Sequence, residues 1–154
     1  RFHGEDVHTH VARLHGAVPT DLGTGWLVER IRDEPSGASS PLLVDALTRA
    51  TFEAEPDSWR AAYEELLAWS LRSGIVIRDW SSTNVCAQRL AGGGMKLVVI
   101  DGIGPKEALP LWLPLRAHAR YRNRYYAARA GLDSVEALLA LCERERERYA
   151  APGA

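Results

Sequence analysis

The chain has 154 residues, of which 46% are hydrophobic and 25% are charged. A chain of this length buries roughly 70% of its unfolded surface on folding, so one hydrophobic core suffices. Its 19 basic and 20 acidic residues give a net charge of −1, which does not favour nucleic acid or an anionic membrane as partner. No apolar run approaches the roughly 18 residues of a membrane span. The two cysteines, Cys86 and Cys142, have no paired spacing and indicate a reduced, cytoplasmic protein.

The N-terminal part of the chain is predicted to contain one β-hairpin. Residues 1–15 hold four of the five histidines and are predicted to form a short helix or loop, with Val11 and Leu14 facing inward. Residues 21–25 have the composition of a turn, because their glycines permit positive φ angles. The apolar run Trp26–Ile31 is therefore predicted to be a strand that pairs with the segment before the turn.

The centre of the chain is predicted to be helical. A loop rich in Pro, Ser and Gly at residues 33–41 precedes a short helix at Leu42–Leu47. The strongest helical pattern is Ser58–Ser73, where apolar residues recur at three- and four-residue spacing. Gly74 ends this helix as a C-terminal glycine.

Short strands and two helices are predicted to complete the fold. Ile75–Ile77 is a brief strand, and Val85–Leu90 and Lys96–Ile100 are two more, joined by a glycine-rich segment that suits a tight hairpin. Residues 115–130 and about 134–149 are predicted to form the two closing helices. The predicted fold class is therefore α+β, mostly helical, with one small sheet and one hairpin.

Two aspartates and an asparagine follow the apolar runs of the central region, within GIVIRDWSSTN and KLVVIDGIG. Asp79 and Asn84 are five residues apart on one loop, and Asp101 follows the hairpin that begins at Val85. Because a hairpin returns the chain to its start, we expect Asp101 to lie close to Asn84. A carboxylate and an amide oxygen suit Mg²⁺ that also carries phosphate ligands, and Asp79 stays free to accept a proton from an attacking hydroxyl. This division of labour predicts phosphoryl transfer.

At these residues the chain resembles the protein-kinase-like fold. The segments Ile77-Arg78-Asp79 through Asn84, and Asp101-Gly102-Ile103, correspond to its catalytic loop and its metal-binding turn. Within that fold the sequence resembles the YrbL family of PhoP regulatory network proteins. That resemblance covers about residues 5–130 and includes GTGWLVERIRDEPSGASSPLL, IRDWSSTNV, VVIDGIG and the Arg-rich segment after LPLWLPL.

The resemblance implies a phosphotransferase that uses Mg²⁺ and ATP on an acceptor that the sequence does not identify. It places Asp79 at the position of the catalytic base, and Asn84 and Asp101 at the positions of the metal ligands, so that all three belong to the catalytic set. It also implies a hinge segment that contacts adenine, formed by Val28, Glu29, Arg30 and Ile31.

The resemblance further implies one kinase-like domain whose N-terminal lobe is mostly missing, so that residues 1–32 are a remnant of the N-terminal sheet plus the hinge and residues 33–154 are the C-terminal lobe. Glu5 stands near the position of the family's helix-C glutamate. The only lysines, Lys96 and Lys106, both follow the catalytic loop, and no Gly-rich phosphate loop is present. These departures keep a second hypothesis open, a pseudokinase that acts as a regulatory or interaction module.

Three features have alternative interpretations. Asp79 and Asn84 are also ordinary turn residues, and the His-Thr-His sequence near the N-terminus has metal-ligand spacing on a strand, although solvated histidines are favoured. The helix after Leu115 carries five arginines and no acid, which suits RNA or an acidic protein partner, but interleaved tyrosines favour a packing role. The run Glu143–Ala150 alternates in charge and is typical of a solvated helix.

Overall fold

The structure of the protein is a computed structural model that describes residues 8–104, 121–124, 127 and 134–150. The described residues form a mixed α+β fold with two small antiparallel sheets, which confirms the predicted class. Within these ranges, no helix combines the length and the apolar character that a membrane crossing requires. The elements in chain order are β1 (Leu14–Thr20), β2 (Gly23–Val28), α1 (Leu43–Ala46), α2 (Arg49–Ala54), α3 (Pro56–Ser73), a 3₁₀ turn (Ser82–Asn84), β3 (Val85–Arg89), β4 (Met95–Val99) and α4 (Val135–Ala150).

The predicted N-terminal hairpin is present as β1 and β2, which pair in antiparallel register. The prediction that Leu14 faces inward was wrong, because Leu14 is 60% exposed. It is the first residue of β1 and pairs with Val28, on a face of the hairpin that no described element covers. Val11, three residues earlier, is buried as predicted.

The second hairpin, β3–β4, is joined by a third stretch of chain. Val85 pairs with Val99 in the antiparallel register, as the predicted hairpin required. Val11 pairs with Val99 in parallel, and the backbone hydrogen bond from the Ala12 N–H to the Val99 carbonyl is 3.0 Å long. Residues around Val11 therefore act as a neighbouring strand on the free edge of β4, which explains why they are buried so near the exposed hairpin.

Helix α3 forms the other side of the core. Its buried aromatic and aliphatic side chains recur at helical spacing, because one face of the helix joins the core that includes β4. It begins at Pro56, two residues earlier than predicted, and proline at the first helical position costs nothing because that N–H has no intrahelical partner. Gly74 ends it in the left-handed conformation with φ of 79°, as predicted. The short helix α2 was not predicted; its Thr48 and Thr51 form a capping box.

The segment predicted as the strand Ile75–Ile77 makes only one bridge, between Ile77 and Ile103. Asn123, which is fully buried, takes the place of a strand partner. The Ile77 N–H donates to Asn123 Oδ1 at 2.8 Å, and Asn123 Nδ2 donates to the carbonyls of Ser70 and Ile75, both at 2.7 Å. One amide side chain thus connects the end of α3 to the strand-like segment that precedes Asp79.

Helix α4 begins as predicted, since Ser134 Oγ accepts a hydrogen bond from the Ala137 N–H at 3.2 Å. The prediction that its charged run is solvated was wrong for Glu145, which is only 9% exposed. Glu145 lies three residues after the buried Cys142 and continues the same buried stripe. Arg146 is also engaged, because its guanidinium donates to the carbonyls of Val44 and Leu47 and so connects α4 to α1.

The prediction of solvated histidines was wrong for His10, which is fully buried. Its Nδ1 lies 2.7 Å from the Leu97 carbonyl oxygen, its ring packs against Trp69, and Glu65 Oε1 is 3.5 Å from its Nε2. His10 therefore holds the chain beside β4 rather than binding a metal with His8, which is exposed.

Other predictions fall on parts of the chain outside the described residues. These are the role of Glu5, the position of Lys106, and most of the Arg-rich helix predicted at 115–130. Residues 121–124 and 127 of that helix are described, and they are helical.

Candidate functional site

The loop that carries Asp79 lies directly beside the turn that follows β4. The backbone N–H groups of Arg78 and Asp79 both point to the Gly102 carbonyl, at 2.8 and 3.3 Å. At the other end of the loop, the Ile100 N–H donates to the Asn84 carbonyl at 2.8 Å. Hydrogen bonds at both ends therefore fix the loop against the turn.

Gly102 is the point where the predicted site residues meet. Its φ is 77°, in the left-handed region that favours glycine. A Cβ atom on Gly102 would lie 2.8 Å from the Asp79 carbonyl oxygen, 2.9 Å from Asp79 Cβ and 3.2 Å from Asn84 Nδ2. The structure therefore brings Asp79, Asn84 and the neighbour of Asp101 into contact around a position that has no room for a side chain. The functional roles of the three residues stay a prediction.

The two carboxylates of the site are open to solvent. Asp79 Oδ1 accepts a hydrogen bond from the Ser81 N–H at 3.3 Å, and Asp101 Oδ1 accepts one from the Gly102 N–H at 2.6 Å. Both aspartates are exposed, and Asn84 is half-buried. Each carboxylate is thus oriented by a local backbone donor and keeps oxygen atoms free for a ligand.

The donor set suits a cation that brings ligands of its own. The described residues contain no group of three or more His, Cys, Asp or Glu side chains that could hold a metal ion by themselves. Asp101 and Asn84 together offer one carboxylate and one amide oxygen. Mg²⁺ is commonly held by one or two carboxylates and keeps water and substrate phosphates as its remaining ligands. The residues present fit Mg²⁺ bound with a phosphate compound.

The middle of the loop is held by a residue that the sequence analysis missed. The Ser82 N–H donates to Glu145 Oε2 at 2.8 Å, the Ser82 hydroxyl donates to the same oxygen, and the Ser81 hydroxyl donates to Glu145 Oε1 at 3.1 Å. The signal was present in the sequence, because Leu138, Cys142 and Glu145 follow one another at helical spacing.

The segment predicted to contact adenine lines a cavity of about 350 Å³. The end of β2 and the residues just after it line the cavity, together with Ile100, the residue directly before Asp101. Cys86, two residues after Asn84, also lines it, and burial raises the pKa of its thiol. The cavity therefore opens beside the strand ends that carry the candidate site. Its lining residues are Val28, Glu29, Arg30, Ile31, Ser39, Ser40, Cys86 and Ile100.

A larger opening of about 560 Å³ lies elsewhere, beside α4. It is lined mainly by charged side chains, and two of them, Arg49 and Glu143, form an ion pair at 3.2 Å. None of the predicted site residues contributes to it. Its chemistry is that of a solvated surface, so we place the candidate site at Gly102 and the cavity lined by Ile100.

Comparison with known proteins identifies the family. The family model for the PhoP regulatory network protein YrbL matches residues 3–130. The chain belongs to the YrbL family. Proteins described as "Uncharacterized protein YrbL" from Escherichia coli (strain K12) and Shigella flexneri are each 28% identical to it over 122 residues, which is 76% of this chain. The chain spans 58% of the length of these curated relatives. The resemblance to YrbL that the sequence motifs indicated is confirmed.

The matched range includes every residue of the candidate site. Asp79, Asn84 and Asp101 all lie within residues 3–130, as does the cavity-lining segment Val28–Ile31. Glu145, which holds the loop, lies beyond that range. The candidate site therefore lies inside the range that the family model matches, whereas Glu145 lies outside it.

Proposed function

We propose that this chain carries the nucleotide and metal site of a kinase-like phosphotransferase that uses Mg²⁺ and ATP. The observation that carries the proposal is the close packing of the Asp101-Gly102 turn against Asp79 and Asn84. Phosphoryl transfer needs a proton acceptor and metal ligands at one place, because its catalysis consists largely of positioning and charge neutralisation. A kinase-like arrangement of the C-terminal lobe is part of this proposal.

Each residue has one role in the proposed site. Asn84 and Asp101 would hold Mg²⁺, which neutralises phosphate charge when it is bound. Asp79 would accept the proton of the attacking hydroxyl, and its exposed carboxylate leaves room for an acceptor to approach. The Ser81 N–H keeps that carboxylate in one orientation.

The cavity beside the site supports ATP as the nucleotide. Its volume of about 350 Å³ lies in the range of about 300–1,000 Å³ that small-molecule sites occupy. Val28, Ile31 and Ile100 supply apolar surface for a flat base, and Glu29 and Arg30 add polar side chains to the lining. A nucleotide whose base fills this cavity would extend its phosphates toward Asp101.

Thermal unfolding with and without Mg²⁺-ATP tests the proposal. Ligand at about 100 times its dissociation constant adds about 2.7 kcal/mol to the free energy of unfolding, so the melting temperature should rise with concentration. Asp101→Asn should abolish the Mg²⁺-dependent part of this rise. The control is Asp57→Asn, at the end of α3 farthest from the loop, which should keep it. No rise up to millimolar Mg²⁺-ATP contradicts the proposal.

A second candidate function is a pseudokinase that acts as a regulatory or interaction module. It is favoured by the absence of any lysine before Lys96 in this sequence, since a lysine usually holds the nucleotide phosphates in kinases. Apolar side chains that stay exposed on β1 and β2 also favour a protein partner. Under this function Mg²⁺-ATP produces no phosphoryl transfer, and Asp79→Asn leaves every measurable activity unchanged.

A further inference from the structure

A buried carboxylate with an unusual set of partners lies next to the candidate site. Glu145 projects from α4, more than 60 residues along the chain from the loop that it contacts. Its Oε1 accepts from the Ser81 hydroxyl, and its Oε2 accepts from the N–H and the hydroxyl of Ser82. Both oxygen atoms of one carboxylate are thus occupied by adjacent residues of the loop between Asp79 and Asn84.

The burial of the Glu145 side chain needs compensation, and the loop supplies it. A buried carboxylate needs hydrogen bonds to compensate for its lost hydration. None of the ion pairs described for the structure includes Glu145, and the neighbouring Arg146 is committed to the carbonyls of α1. The compensation that the structure describes therefore comes from the loop itself, through three hydrogen bonds donated by Ser81 and Ser82.

We propose that Glu145 is the positioning residue of the Asp79–Asn84 loop, a role that rests on the proposed phosphotransferase function. Ser81 and Ser82 are the two middle residues of the four that separate Asp79 from Asn84, so the place where Glu145 holds them influences the distance between the base and the metal ligand. Glu145 touches neither Asp79 nor Asn84 in the described contacts, so it acts through the two serines and takes no direct part in the chemistry.

The local geometry of the loop depends on the same contact. Ser81 caps the 3₁₀ turn, since the Asn84 N–H donates to the Ser81 carbonyl at 3.0 Å and the Thr83 N–H donates to its hydroxyl oxygen at 3.4 Å. A turn of three residues has little stability of its own. When Glu145 no longer accepts hydrogen bonds, the capping residue and the first turn residue lose their external anchor together.

Hydrogen exchange tests whether Glu145 holds the loop, independently of any activity. The Ser82 amide should exchange at least ten times faster in Glu145→Ala than in the unmodified protein, and Glu145→Gln should give an intermediate rate because it keeps one acceptor oxygen. The amides of β3 and β4 should keep their protection. The matched control is Glu147→Gln, an exposed residue of the same helix. Unchanged exchange at Ser82, or faster exchange throughout the chain, overturns the positioning role.

Steady-state kinetics then tests whether the position matters for the reaction. A displacement of about 1 Å costs up to about 100-fold in rate, so kcat of Glu145→Ala should fall about 10- to 100-fold while KM for ATP changes less than about twofold. Glu145→Asp should recover part of kcat. A full kcat in Glu145→Ala, or a fall that only follows the loss of folded protein, overturns the inference. An unmodified protein that neither binds nor turns over Mg²⁺-ATP overturns the proposed function instead.

Discussion

The two hairpins of this molecule have the same architecture and opposite environments. Each consists of two antiparallel strands of five to seven residues with several apolar side chains. In β1–β2, Trp26 is 67% exposed and Leu27 is 51% exposed. In β3–β4, Leu97 and Val99 are both fully buried. The pairing of strands therefore does not decide how much an apolar residue contributes to stability here; the surroundings do.

The neighbours of each hairpin explain the difference. One edge of β3–β4 is bonded to the chain around Val11, and the other edge receives a bridge between Leu42 and Cys86. Helix α3 packs against β4, and its Trp59 and Trp69 belong to the same buried cluster as Leu97 and Val99. A two-stranded hairpin alone is marginally stable in water, and β1–β2 is close to that condition. The candidate site is built on the ends of the supported hairpin, where a fixed backbone can hold side chains in register.

The comparison is tested most strongly by truncating one leucine in each hairpin. Leu97→Ala should lower the free energy of unfolding by about 2–5 kcal/mol, because it leaves a cavity in a core that cannot fully collapse. Leu27→Ala should change it by less than about 0.5 kcal/mol, since the side chain is largely in water already. Urea unfolding at constant pH measures both. Similar costs for the two variants would mean that β1–β2 is covered in solution.

Two glycines with positive φ allow the stability cost of a left-handed backbone to be measured separately from the cost of close packing. Gly93, in the β3–β4 turn, has φ of 84° and no atom of the described residues within 4 Å of the place where a Cβ would lie, whereas Gly102 has φ of 77° and atoms of Asp79 within 3 Å. Gly93→Ala should cost about 1–2 kcal/mol through its left-handed backbone alone. Gly102→Ala should cost about 1–3 kcal/mol more, because the loop must move away from the turn.

The same pair connects stability to the site. Gly102→Ala should also weaken the response of the melting temperature to Mg²⁺-ATP, because Asp79 and Asn84 are the groups that must move. Gly93→Ala should retain that response in full. Equal unfolding free energies for the two variants would show that the contact between Gly102 and the loop is loose in solution, and the proposed site would lose its main support.

The parts of the fold that the sequence predicted correctly are those with local signals. The β3–β4 hairpin follows from two apolar runs separated by glycines, and the end of α3 follows from Gly74. The sequence also predicted that Asp101 lies close to Asn84, because closing a hairpin returns the chain to its start, and the structure places the neighbouring Gly102 against that loop. Family resemblance added the segment Val28–Ile31, which lines a cavity with Ile100, and its contact with adenine stays a prediction.

The parts that the sequence did not predict depend on contacts between distant segments. His10 and Asn123 are polar residue types that are usually exposed, and each is buried here because it satisfies backbone groups of another element. Glu145 was assigned to a solvated face because its neighbours along the chain alternate in charge. Leu14 shows the reverse error, since it was predicted to face inward from a short helix or loop and instead begins the exposed strand β1. Neither charge alternation nor hydrophobicity specifies the partner that decides burial.

Of the two hairpins, only the buried β3–β4 contains a cysteine, Cys86. The second cysteine, Cys142 on α4, lies beside Ser82 in the loop that leads into β3. Cys142 is fully buried, and burial raises the pKa of its thiol from 9.0 to about 12, an effect to which the nearby Glu145 carboxylate adds. In the unfolded chain the same thiol ionises near its ordinary value. Unfolding at a pH between these two values therefore releases a proton.

The difference between the folded and unfolded pKa of Cys142 predicts that the free energy of unfolding depends on pH. Between pH 8 and 10 this is the smallest of the three stability effects predicted here. Because the pKa is raised in the folded state, the stabilisation is fully present below about pH 9 and is lost as the pH rises toward 12, by up to about 1.4 kcal/mol per pH unit. Unfolding free energies at pH 8, 9 and 10 should fall more steeply for the unmodified protein than for Cys142→Ala. Leu27→Ala, in the exposed hairpin, should keep the steeper slope. Parallel lines for the unmodified protein and Cys142→Ala would mean that water reaches the thiol, and with it the buried side of α4 where Glu145 contacts the loop.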